Sequence, residues 1–267
     1  MNSINKNITE LRRKKVFFFD LDGTLYLGNK LFDGVIEIIE ALKEQGKRSF
    51  FLSNNSSKST SDYLKKLNDL NLNATRENVI LSQHPTISYL KENNYTTVFL
   101  LGNESLKKEF IEEGFTLSES NPEIIVLAFD QELTYNRLTK ASYLLQKGLP
   151  YIATHLDNKC PTEDGFIPDA GGIAALLCKA TDRMPVVFGK PNKEMLLFKL
   201  REIKVKPQDA VMFGDRLYTD IKMGIDAGVT TCCVLSGETT LEMINKSKSE
   251  KPDFIINGIW EILEIIS

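Results

Sequence analysis

Four short stretches of this 267-residue chain put polar, reactive side chains at the ends of apolar runs. The first is Phe17-Phe18-Phe19-Asp20-Leu21-Asp22-Gly23-Thr24-Leu25. A strand that ends in carboxylates at i and i+2 carries them on the same side of its pleat. Gly23 then permits a sharp turn, and Thr24 brings a hydroxyl near both acids. Two such acids repel one another by about 4 kcal/mol at ~4 Å and an effective dielectric of ~20, unless a cation or proton intervenes. Taken alone, the pair reads equally well as an Asx-turn closing a strand. In the second stretch the run 48–52 leads into Ser53-Asn54-Asn55-Ser56, small hydrogen-bonding side chains immediately before a helical pattern. Free amides and the positive end of a helix dipole suit an anion there, although a plain N-cap uses the same residue types.

The third run, 186–188, ends in Gly189-Lys190-Pro191, which can hold a fixed positive charge against a phosphate or a carboxylate. No GxxxxGK[ST] frame surrounds it, so it is not a nucleotide-binding P-loop. The fourth run, 210–213, ends in Gly214-Asp215-Arg216-Leu217-Tyr218-Thr219-Asp220 ahead of a helix and adds two acids. In an open α/β sheet, ligands bind at the carboxyl ends of the strands, where all four of these stretches fall. Asp20, Asp22, Asp215 and Asp220 against Lys190 leave a formal charge of −3. A dianionic phosphate enters such a site only with a cation, and Mg²⁺ characteristically takes one or two carboxylates together with waters and phosphate oxygens.

Positioning these residues requires strands and helices in alternation, and the sequence supplies them. Strand patterns fall at 15–19, 48–52, 97–101, 124–128, 151–154, 186–188, 210–213 and 231–234. Several are continuous apolar runs, as parallel strands covered on both faces require. Helical patterns occupy 34–45, 59–69, 135–147, 193–204 and 220–227, and Gly46, Gly148 and Gly228 stand where C-terminal caps belong. The pattern predicts an α/β fold, a doubly wound parallel-sheet (Rossmann-like) core joined by right-handed crossovers. Because the polar strand ends fall before residue 60 and after residue 188, a core from 1–82 and 185–267 with an inserted smaller α/β domain at 83–184 is expected. The end of the chain, 255–266, reads as strand, turn and helix.

Composition narrows the rest. With 42% apolar and 26% charged residues and a net charge of −3, the chain reads as an ordinary globular protein with no long-range pull toward nucleic acid or an anionic membrane. The apolar run after Arg12-Arg13-Lys14-Lys15 is too short for a signal-peptide core, and no window approaches a membrane span. Cys160, Cys178, Cys232 and Cys233 lack metal-ligand spacing and read as buried reduced thiols, with one of the adjacent pair facing the core. A soluble, cytoplasmic protein is expected. His84, beside Pro85, reads as a turn or surface histidine, and two distant histidines argue against a histidine metal site.

The order DxDGT, Ser-Asn, Lys, GDRxxTD resembles the haloacid dehalogenase superfamily of aspartate-nucleophile phosphatases across essentially the whole chain. The middle is similar to its NagD-type branch through Ala153-Thr154-His155-Leu156-Asp157, Cys160-Pro161, Gly165 and Pro168-Asp169-Ala170-Gly171-Gly172. His155 stands where that branch commonly has Asn, and Asp169 where it commonly has Gly. The resemblance implies a phosphatase for small phosphorylated metabolites, with nucleoside monophosphates first and sugar, glycerol or 4-nitrophenyl phosphates next. Asp20 would be nucleophile and Asp22 the general acid and base. Mg²⁺ would sit on Asp20, Asp215 and the Asp22 carbonyl, with Asp220 helping. Thr24, Ser53, Asn54, Asn55 and Lys190 would hold the phosphate. The inserted domain would close over the site, with His155, Asp157 and Asp169 candidates for reading the leaving group. A phosphotransferase or mutase on the same fold, and a non-catalytic binding protein, remain open at this stage, as does a homodimer.

Overall fold

The computed structural model describes residues 8–162 and 164–266. Its larger sheet runs in the order Phe254–Ile256, Thr230–Val234, Ala210–Gly214, Val16–Asp20, Arg48–Ser53, Val79–Leu81. Numbered along the chain, that is 6-5-4-1-2-3, the doubly wound order with its reversal between the first and fourth strands. The strands flanking the reversal pair in parallel, with Val16 opposite Ala210 and Phe19 opposite Phe213. Chemistry is therefore expected beyond Asp20 and Gly214, where the chain leaves the sheet on diverging paths.

The run Val16–Phe19 is apolar at every position because both faces of its strand are covered. Phe18 lies 5.4 Å from Phe50 and packs with Leu52, Met212, Leu196 and Met223 on one side. Phe17 and Phe19 stack with Phe213 on the other, at 6.1 and 5.2 Å. The helices Glu194–Glu202 and Lys222–Ala227 supply the first layer. Cys232 and Cys233 are both fully buried, since their strand is interior and covered on both faces. The expectation that only one of them faces the core is corrected accordingly. Cys160 and Cys178 are only half-buried.

The second sheet, in the order Val186–Val187, Tyr151–Ala153, Ile124–Leu127, Thr97–Leu101, Thr116–Leu117, is parallel throughout. Its core joins Leu101, Ile125 and Leu127 to Leu144 and Leu145 of the helix Tyr135–Gln146 and to Ile173 and Leu177 of the helix Ala170–Thr181. The chain resolves into two compact units. One takes the residues up to Ser53, Leu64–Ile80 and everything from Lys190 on; the other takes Asn54–Tyr63 and Leu81–Gly189. No helix among the described residues is long and apolar enough to cross a membrane.

Gly46, Gly148 and Gly228 adopt the left-handed conformation that ends a helix, with φ of 69°, 85° and 69°. The helix read at 220–227 begins at Lys222, and Leu217–Ile221 forms a wider π-type turn ahead of it. The end of the chain forms the strand Phe254–Ile256, a 3₁₀ turn Ile259–Glu261 and the helix Ile262–Ile266.

Candidate active site

Asp20 closes its strand at the reversal of the larger sheet, and Asp215 follows the neighbouring strand by one residue. Asp220 enters from the π-type turn. One carboxylate oxygen from each of Asp20, Asp215 and Asp220 lies within 4.8 Å of the other two. Asp215 and Asp220 are only 3% and 1% exposed, so their mutual repulsion is little screened by water. Lys190, itself buried, places its Nζ against Asp20 Oδ1 and 2.8 Å from Asp220 Oδ1. Thr24 Oγ1 donates to Asp20 Oδ2 at 3.3 Å.

The electrostatics follow from that geometry. Burial pushes the Asp20 carboxyl well above the ordinary range; Lys190 pulls it back, while Asp220 and Asp215 push further. Burial and the neighbouring Asp220 carry Asp215 up to about 6, against a hydrogen bond from the Glu238 amide. For Lys190, burial favours the neutral amine, but Asp20 and Asp220 outweigh it and hold the ammonium form more firmly than usual. Asp215 Oδ1 is buried and accepts no hydrogen bond. A concentration of buried carboxylate oxygen with one acceptor unused is the donor set a hard divalent cation takes.

Asp22 is placed differently from the pleat argument. The strand stops at Asp20, and Asp22 lies beyond it, exposed, in the turn stabilised by Gly23 at φ 85°. An isolated bridge to Tyr26 and a 3.4 Å hydrogen bond from Tyr26 Oη to Asp22 Oδ2 hold it there. Ser53 ends its strand and is buried. No helix follows it at once: the next begins at Thr60, so Ser53-Asn54-Asn55-Ser56 is not an N-cap. Asn54 Nδ2 donates to Asp157 Oδ1 at 3.1 Å, and Asn55 Oδ1 accepts from the Ser57 amide and hydroxyl at 2.9 and 2.7 Å. Both asparagines therefore spend these groups inside the second unit.

His155, Asp157 and Asp169 also come together in that unit. His155 is fully buried, with Nε2 3.1 Å from Ser56 Oγ and 3.6 Å from Asp169 Oδ1, and Nδ1 accepting from the Asp157 amide at 3.3 Å. Asp169 caps the helix Ala170–Thr181 through the Ala170 amide. His84, read from sequence as a turn or surface residue, belongs to the helix Gln83–Glu92. It shares a 2.8 Å hydrogen bond with Thr60 Oγ1, next to the buried Glu109 carboxylate. A fifth polar strand end escaped the sequence reading. The residues Ser236-Gly237-Glu238-Thr239, after Thr230–Val234, reach Asp215, and the polar run behind an apolar strand was the signal available.

Comparison with known proteins agrees with the α/β fold. A family model described as haloacid dehalogenase-like hydrolase matches residues 17–116, and a second, HAD-hydrolase-like, matches 187–262. An acid sugar phosphatase from Staphylococcus haemolyticus is 32% identical over 91% of this chain and 93% of its own length. The 5'-nucleotidase YutF of Bacillus subtilis is 29% identical over 96% of this chain and 100% of its own. The crystal structure of a 4-nitrophenylphosphatase from Thermotoga maritima superposes with a TM-score of 0.93 at 40% identity, covering 98% of this chain and 100% of that one.

Proposed function

The chain belongs to the haloacid dehalogenase-like hydrolases, in their NagD-type branch, and from that premise we propose that it is a Mg²⁺-dependent phosphatase acting through a phosphorylated Asp20. The observation that carries the reading is the buried group of Asp20, Asp215 and Asp220 around Lys190 at the reversal of the sheet. Its residues fit a cation: three carboxylates converge, and Asp215 Oδ1 is buried without a hydrogen bond. Asp20, Asp215 and the Asp22 carbonyl would hold Mg²⁺, with Asp220 beside it. When bound, the ion neutralises charge on the transferring phosphoryl group.

The protein's own groups do the rest. An Asp20 carboxylate oxygen attacks phosphorus as the ester P–O bond breaks, and Asp22 gives its proton to the departing alkoxide. In the second step water attacks phosphorus, Asp22 takes the water's proton, and the bond between Asp20 and phosphorus breaks to release inorganic phosphate. The acid–base group is thus returned to its starting state. Exposure suits Asp22 to exchanging protons with a leaving group and a water. Lys190 opposes the burial that pushes the Asp20 carboxyl up and adds positive charge where the phosphoryl oxygens gather. Thr24 fixes the second Asp20 oxygen, and Ser53 is assigned to the phosphate.

The chemistry is assigned to 1–82 and 185–267, with 83–184 selecting the substrate. Relatives named for sugar phosphates, nucleotides and 4-nitrophenyl phosphate support a small phosphate monoester as substrate, a nucleoside monophosphate or a sugar phosphate. The test is inorganic phosphate release from nucleotides, sugar phosphates and short phosphorylated acids, with Mg²⁺ and with EDTA, by wild type and by Asp20→Asn. Metal-dependent release that Asp20→Asn reduces by about 10³-fold or more is expected. Near-normal turnover in that variant contradicts the assignment.

A further inference from the structure

Asp215 is gripped by a segment outside the GDRxxTD motif. The strand Thr230–Val234 runs parallel to Ala210–Gly214, with Cys233 opposite Gly214, so the residues after Val234 pass beside Asp215. There the Glu238 amide donates to Asp215 Oδ2 at 2.7 Å, and the Thr239 amide donates to the Asp215 carbonyl at 3.0 Å. Ser236 Oγ donates to the Gly23 carbonyl at 2.7 Å, tying the segment to the turn that follows Asp20. The Glu238 carboxylate is anchored in turn. It accepts from Tyr218 Oη at 2.9 and 3.1 Å and pairs with Arg216 Nε at 3.1 Å. The segment 236–239 is thereby fastened both to the turn after Asp20 and to the residues after Asp215.

The approach is close enough to exclude any side chain. A Cβ placed on Gly237 would stand 2.1 Å from Asp215 Oδ2 and 2.5 Å from its Cγ, and one on Gly23 would stand 2.6 Å from the same oxygen. Oδ2 is therefore enclosed by the two glycines and occupied by the Glu238 amide. Oδ1, buried without a hydrogen bond, is the oxygen left to offer. A free carboxylate can turn about its Cβ–Cγ bond and present either oxygen or both; this one cannot turn without breaking the amide contact or striking the glycines.

We propose that Ser236–Thr239 is a positioning strap that locks the Asp215 carboxylate so that Oδ1 alone faces the divalent cation, with Gly237 and Glu238 as its positioning residues. The proposal rests on the reading that a cation binds at Asp20 and Asp215. Partners that orient a metal ligand typically change metal affinity by an order of magnitude or more when removed, which sets the size of the effect.

The experiment measures the Mg²⁺ dissociation constant calorimetrically on the full-length protein without substrate, with EDTA melting curves as the control for folding. Gly237→Ala, which displaces the carboxylate, and Glu238→Ala, which unfastens the strap, each weaken Mg²⁺ binding by about tenfold or more, while Glu238→Gln stays within about twofold of wild type. The glutamine keeps the Tyr218 anchor, its side-chain carbonyl accepting from Tyr218 Oη, and still lies beside Arg216, but carries no charge. Should Gly237→Ala fail to fold, the Glu238 pair decides. Unchanged affinity in both alanine variants overturns the strap and leaves the cation reading standing. Equal losses in Glu238→Ala and Glu238→Gln overturn it as well, since Glu238 would then act through its charge. A folded wild type that binds neither Mg²⁺ nor Mn²⁺ overturns the cation reading and the strap with it.

Discussion

Removing one acid from the cluster should stabilise the metal-free protein, and the size of the effect follows from the site's electrostatics. Asp215 is 3% exposed, and its pKa is pushed up to about 6 by burial and by Asp220. A carboxyl whose folded pKa is raised favours folding while protonated and loses that contribution as pH climbs, so the metal-free protein weakens between about pH 4 and pH 6 and stays weakened above. From an ordinary 3.8 to about 6, the shift corresponds to about 3 kcal/mol at pH 8. Asp215→Asn removes that cost while its side-chain carbonyl still accepts from the Glu238 amide. In EDTA at pH 8 the variant should melt above wild type by on the order of 6–12 °C, at roughly 2–4 °C per kcal/mol for chains near this length. By pH 5 the free-energy gap should shrink to about half. Added Mg²⁺ should raise wild type selectively, by about 2.7 kcal/mol at a hundredfold excess over its dissociation constant, and nearly close the gap. Scanning calorimetry across pH, with and without metal, reads all of these. A variant no more stable than wild type at pH 8, or a gap that ignores pH, refutes the electrostatic account.

Two further outcomes probe the scaffold. Phe18→Ala, which removes a fully buried ring packed 5.4 Å from Phe50, should cost about 3–5 kcal/mol in chemical denaturation; a loss below about 1 kcal/mol would show that this face of the sheet is not closely packed. Cys160 and Cys178, half-buried, should react with a thiol reagent in the native protein. Cys232 and Cys233 should react only after unfolding, because burial pushes the Cys233 thiol up to about 12 and that of Cys232 well above its ordinary value.

The sheet was legible because its strands are buried on both faces, which writes continuous apolar runs such as Phe17-Phe18-Phe19 into the sequence. Short edge strands are less visible. Val79–Leu81 and Thr116–Leu117 have three and two residues, too few to establish a period. The reactive residues at the ends of the central strands were legible for a related reason: Asp20 and Asp215 are polar side chains that interrupt otherwise apolar surroundings. What sequence spacing could not supply was contact at long range. Asn54 meets Asp157 across 103 positions, and the Glu238 amide reaches Asp215 across 23. A backbone amide has no sequence signature at all. Asp22 illustrates a third limit, since an i, i+2 argument holds only while the strand lasts, and this strand ends at Asp20.

The most direct test of the central claim is to trap the phosphorylated aspartate. Enzyme turning over a good phosphate ester with Mg²⁺ would be quenched with borohydride, which reduces an acyl phosphate to an alcohol, and its peptides mapped by mass. Homoserine at position 20, formed only with substrate and metal and absent from Asp20→Asn, is the result expected. Rapid phosphate release with position 20 unmodified throughout turnover would contradict the assignment of Asp20 as the nucleophile.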